Sequence, residues 1–134
     1  MIAVDTNVLI RILVDDPAAD QQMQAARALP DSSDVLYVCQ TVQVELVWVL
    51  ESAYGFDKAS VCKVLEHLAN HQAFELQSPE RFDAALKLFR SHAADFSDCL
   101  ILTEAASRQL LLFTFDKKLS RLKGATNPAA TLKR

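Results

Sequence analysis

The chain has 134 residues, 51% of them hydrophobic, and a formal net charge of −3. That length suits one domain, residues 1–134, and 2 Gly with 4 Pro leave little turn material for an all-β sandwich, so a helix-rich α/β domain with a mostly parallel sheet is expected. The acidity argues against holding nucleic acid by bulk positive charge, and no run approaches the roughly 20 apolar residues of a membrane span. Met1 is not followed by a basic stretch and then an apolar one, so a soluble, cytoplasmic protein is expected. Cys39, Cys62 and Cys99, odd in number and without a C-x-x-C pair, read as reduced, buried thiols.

The chain opens MIAVDTNVLI: residues 2–4 read as a short strand, and Val8, Leu9, Ile12 and Leu13 return at helical spacing after Asp5. Asp15-Asp16-Pro17 stops that helix, and Pro17 is placed to start a second one running to Pro30. After the polar turn Asp31–Asp34, VLYVC at 35–39 is a strand by its β-branched and aromatic content. TVQVELVWVLESAYG alternates like a strand but is too long for one, so it reads as a helix from a capping Thr41 to a stop at Gly55. Trp48, Tyr54 and Phe56 read more readily as core than as part of a partner interface. Asp57 caps a further helix, FEL at 74–76 is a brief strand, and Ser78-Pro79-Glu80 opens a helix through Phe82, Leu86 and Phe89.

A helix is expected over 94–109, and LLLFTF at 110–115 has the continuous apolar run of a strand buried on both faces, ended by Asp116. From there to the end stand Lys117, Lys118, Arg121, Lys123, Lys133 and Arg134 against Asp116 alone. This basic stretch reads equally as a solvated tail or as a phosphate-contacting patch.

Asp5 and Asp116 are each the first charged group at the end of an apolar strand, the end where parallel sheets gather their ligands. Asp95 and Asp98 share a helix face near its start. Asp95 is well explained as a cap, Asp98 less so, since apolar Cys99-Leu100-Ile101-Leu102 follows it directly. Glu45 projects from a largely apolar helix flank, where a lone charge is rare unless paired, for instance with Arg11. Acids converging at one sheet end would repel each other, and a hard divalent cation such as Mg²⁺ or Mn²⁺ would resolve the repulsion.

DTNVLI at 5–10, the acid in VELVWVL at 44–50, ADFSDCLI at 94–101 and TFDKKL at 114–119 together resemble the motifs of PIN-domain ribonucleases, in particular the VapC toxins of bacterial toxin–antitoxin pairs. The likeness covers essentially the whole chain. It implies a three-layer α/β/α PIN-like fold with Asp5, Glu45, Asp98 and Asp116 as an acidic site for Mg²⁺ or Mn²⁺ and Asp95 as a secondary candidate. Thr6, Asn7 and Thr114 match the polar residues that orient those acids. The implied reaction is hydrolysis of RNA by a metal-activated water, leaving 5′-phosphate and 3′-hydroxyl ends. Transfer or ribosomal RNA is the implied substrate, a cognate antitoxin and a second copy of the chain the implied partners. Arg11, Lys117 and Lys118 are candidate phosphate contacts.

The rival readings are a catalytically silent PIN-fold interaction module and a haloacid-dehalogenase-like phosphatase. The phosphatase motif wants a second Asp where this chain has Asn7, and a silent module would be expected to lack one of the four acids. His67 and His71 have metal-ligand spacing without an H-E-x-x-H motif, and no G-x-S-x-G elbow accompanies Ser97 and His92.

Overall fold

The computed structural model describes residues 1–32 and 34–132. Ser33 of the polar turn, and Lys133 and Arg134 of the basic tail, lie outside the described residues. The chain forms two compact units, Met1–Pro79 and Glu80–Arg134.

In the first unit, β1 (Ile2–Ala3), β2 (Leu36–Val38) and β3 (Phe74–Leu76) form a parallel sheet in that order. Ile2 stands opposite Leu36, and Leu36 opposite Phe74. The connections are helical, as parallel strands require. They comprise α1 (Thr6–Leu13) and α2 (Asp20–Asp31) between β1 and β2, then α3 (Gln40–Ser52) and α4 (Lys58–Asn70) between β2 and β3. Leu9 and Ile10 of α1, Leu36 and Val38 of β2, Leu46 and Leu50 of α3, and Val61, Leu65 and Leu68 of α4 are buried.

Local chemistry sets the ends of these helices. Pro17–Ala19 is a 3-10 turn capped by Asp16, so the second helix starts at Asp20 instead of Pro17. Thr41 does not cap α3; the cap position is Cys39, which gives no side-chain bond, and the Gln40 N–H donates instead to Gln77 Oε1 at 2.7 Å. Gly55 has the φ of +66° expected of a helix stop, and the Phe56 N–H folds back to Leu50 O. Asp57 caps α4, as its position implies.

The second unit holds α5 (Pro79–Ser91), α6 (Phe96–Ser107), β4 (Leu112–Phe113), α7 (Lys117–Ser120), β5 (Ala125–Thr126) and α8 (Pro128–Leu132). Its core is aromatic: Phe82 and Phe89 of α5 meet the ring of Phe96 edge to face, with centroids 5.6 and 5.7 Å apart. β4 and β5 pair in parallel, and neither β5 nor α8 was evident in a stretch that read as a tail.

The run at 110–115 is not buried on both faces. Phe113 and Phe115 are 51% and 76% exposed, and Leu110 and Leu111 are exposed with them. The regular strand is two residues long and belongs to a two-stranded sheet, which cannot cover five apolar side chains. Trp48 is likewise on the surface rather than in the core, whereas Tyr54 and Phe56 are half-buried. Cys62 and Cys99 are buried thiols and Cys39 is half-buried. Among the described residues no helix is long and apolar enough to cross a membrane.

Candidate active site

Asp5 follows β1 directly and caps α1, its Oδ1 accepting from the Val8 N–H at 2.9 Å. The adjacent Thr6 hydroxyl donates to Glu45 Oε1 at 2.8 Å, which joins the start of α1 to α3. Glu45 lies on the solvent side of α3, one turn from exposed Trp48, which removes the burial cost that its apolar neighbours implied.

Gln43, a residue that pattern reading passed over, fixes α3 in place. It is fully buried, and its Nε2 donates to Val38 O at 3.2 Å and Gln77 O at 3.0 Å, at the carboxyl ends of β2 and β3. With the Gln40–Gln77 bond, this locks the first turn of α3 and hence the direction from which Glu45 projects. Its only sequence signal was a polar residue two positions before the acid.

Arg11 does not pair with Glu45. Its guanidinium donates to Gln22 Oε1 at 2.8 Å and the Tyr54 hydroxyl at 3.0 Å and lies 3.4 Å from Asp16, to which Tyr54 also donates. Asp15 pairs with Arg27 at 2.9 Å, so the acids that read as a helix break also tie α1 to α2. Asn7 is exposed and, with Asp5, Val8 and Arg11, lines a groove of about 420 Å³ against α2.

The second unit repeats the strand-end device. Asp116 caps α7, with Oδ1 accepting from the Leu119 N–H at 2.8 Å, and its own N–H donates to Thr114 Oγ1 at 3.0 Å. Asp95 occupies the cap position of α6, yet its carboxylate makes no capping bond. It lines instead a pocket of about 220 Å³ with Asp98, Asp116, Lys117 and Lys118. Burial, and then the like charges of Asp95 and Asp116, push the half-buried Asp98 carboxyl above its usual range.

The donor chemistry of this pocket fits a hard divalent cation. Its acids are carboxylates that destabilise one another when ionised, and they offer oxygen ligands only. Among the described residues no group of three or more His, Cys, Asp or Glu side chains is placed to hold a metal ion. Mg²⁺ does not need such a group, because it keeps several of its waters and binds through one or two carboxylates. His67 meets the Phe74 ring edge to face and His71 meets it tilted, at the end of α4, and the His71 Nδ1 accepts from the Ala73 N–H.

Parallel strands followed by capped helices, with acids at strand ends, make an α/β protein, and the PIN domain family model matches residues 2–125. The chain belongs to the PIN-domain family. It is 28% identical over 97 residues, 72% of each chain, to a protein from Aquifex aeolicus (strain VF5) named VapC ribonuclease.

Proposed function

We propose that the protein is a metal-dependent endoribonuclease, the toxin of a toxin–antitoxin pair, acting in the cytoplasm on transfer or ribosomal RNA. The observation that carries this reading is the pocket of Asp95, Asp98 and Asp116 in a chain that is PIN-like from residue 2 to 125. Support comes also from the relative named VapC ribonuclease.

In this reading Asp5, Glu45, Asp98 and Asp116 hold Mg²⁺ or Mn²⁺, with Asp95 in support, and residues 1–134 work as one nuclease domain. The bound cation supplies positive charge that acidifies an attacking water and offsets charge growing on the phosphoryl oxygens. Thr6 orients Glu45 through its hydroxyl, and Thr114 fixes the backbone at Asp116. Lys117 and Lys118, which line the acidic pocket, neutralise the non-bridging oxygens of the scissile phosphate. Asn7 orients the first-unit acids, and Arg11 offers a further phosphate contact from the groove it lines. Attack in line with the 3′ oxygen expels it and leaves 5′-phosphate and 3′-hydroxyl ends. A cognate antitoxin and a second copy of the chain complete the assembly.

The test is cleavage of a mixed cellular RNA pool with Mg²⁺ or Mn²⁺, beside Asp5→Asn and an EDTA control, with end mapping. Cuts at a few sites, made only by the metal-loaded wild type and bearing 5′-phosphates, are expected. A wild type as inert as Asp5→Asn that still binds a partner protein would replace this reading with that of a silent PIN-fold module.

A further inference from the structure

The stretch KKLSRLK at 117–123 separates its residue types by face. Leu119 and Leu122 are buried, while Lys118, Arg121 and Lys123 are exposed, so the leucines anchor the turn of α7 from beneath and the cations line its outer side. Those three cations and His92, which follows α5, line a groove of about 310 Å³ over Leu88, Ala93 and Leu122. Among the described residues no Asp or Glu lines it. It adjoins the acidic pocket within the same unit: Lys118 lines both, and Ala93 of the groove precedes Ala94 of the pocket. Acids line only the pocket, where Lys117 and Lys118 accompany them, and the groove beside it is lined by basic groups.

A phosphodiester chain carries one negative charge per nucleotide, so a cut at one phosphate leaves its neighbours needing cations of their own. Ribose and base present apolar faces between those charges, which match a floor of Leu88, Ala93 and Leu122. On a chain of net charge −3, such a local patch draws RNA to one place rather than to the surface at large. We propose that this groove is the track for the RNA backbone next to the scissile phosphate, with Lys118, Arg121 and Lys123 as phosphate contacts and His92 beside them. The proposal rests on the ribonuclease reading and deepens it.

The experiment is fluorescence anisotropy of a labelled single-stranded RNA oligonucleotide with the full chain, across a salt series in EDTA, where no metal-dependent cleavage occurs. Arg121→Gln/Lys123→Gln is expected to weaken binding about tenfold and, at about 0.7 per phosphate contact, to flatten the slope of log K against log salt by about 1.4. Lys58→Gln/Lys63→Gln on α4, with the same charge change, leaves both as in the wild type. With Mg²⁺, the loss in kcat/KM of the groove variant sits in KM. Wild-type affinity and slope in the groove variant, or a wild type that does not bind RNA, would overturn the proposal. So would a groove variant that loses polyglutamate binding and keeps RNA binding, which makes the groove a protein-docking surface. A wild type that binds RNA through the groove and cuts with neither Mg²⁺ nor Mn²⁺ sinks the ribonuclease reading and leaves the groove standing.

Discussion

Three aspartates in this chain make the same local bond and differ in everything around it. Asp5, Asp57 and Asp116 each cap a helix by accepting from the backbone N–H three residues on, at 2.9, 2.8 and 2.8 Å. Asp5 follows a strand and is next to a threonine that bonds Glu45; Asp116 follows a strand and shares a pocket with two more acids. Asp57 follows a glycine turn after α3, and its nearby charge is Lys63. Capping therefore explains why an Asp is tolerated at all three places, and since Asp57 also has the Ser60 hydroxyl beside it, only a second carboxylate nearby sets the candidate site apart from a cap.

The sharpest way to break this comparison is to exchange each aspartate for asparagine, which caps helices about as well as aspartate. Asp5→Asn and Asp116→Asn should stay folded and lose at least about a hundredfold in RNA cleavage, the scale of removing one electrostatic group from a reaction centre. Asp57→Asn should cut at the wild-type rate. Circular dichroism beside initial rates separates the two effects, and equal rates for all three variants would reduce Asp5 and Asp116 to caps.

A smaller effect is expected one bond away. Thr6→Val keeps the shape of the side chain and removes the donor to Glu45, so cleavage should fall by about 10–100-fold, as for other groups that orient a metal ligand. Adding Glu45→Gln to Thr6→Val should then cost much less than the product of the single losses, because both act through one carboxylate. Multiplicative losses would show that the two residues act independently.

The two units also predict opposite responses of stability. Asp98 has its carboxyl raised by burial and by Asp95 and Asp116, so the folded protein holds that proton more tightly than the unfolded chain does. The cost of ionising it is present in full above the folded-state pKa, shrinks as pH falls through that value, and is gone below the lower, unfolded-state one. Asp98→Asn should therefore raise Tm in EDTA at neutral pH, lose that advantage in acid, and be inactive with metal. A Tm unchanged at neutral pH would mean that the pocket tolerates its charge without a cation.

Much of this arrangement was legible in the sequence, because it depends on neighbours along the chain. Strand ends, the Asp57 cap and the Gly55 stop all act within a few residues, where propensity and spacing operate, while Thr114 as a companion of Asp116 came from the resemblance to PIN-domain motifs. One failure is local, the start of α2 at Asp20 instead of Pro17, and the others are at longer range. Thr41 looked like the cap of α3, but Gln77, 37 residues from Gln40, supplies the acceptor. Gln43 looked incidental and is buried against the ends of two strands. LLLFTF looked like a core strand, yet hydrophobicity states only that a segment tends to be covered and not that its neighbours cover it.

Asp57 gives the mildest prediction and the control for the rest. The Ser60 backbone N–H, then the Ser60 side chain, hold its carboxyl below the usual range. A lowered carboxyl contributes stability that is complete above the unfolded-state value and is lost as pH falls through the folded-state value. Asparagine keeps the cap without the charge, so Asp57→Asn should melt slightly below the wild type near pH 6, and the gap should close in strong acid. Thermal melts of both proteins from pH 6 to pH 2 measure it. A gap independent of pH would assign the loss to packing, and the charge at a bare cap would then count for nothing here. In that case the sensitivity of Asp5 and Asp116 to the same exchange would have to come wholly from the groups beside them.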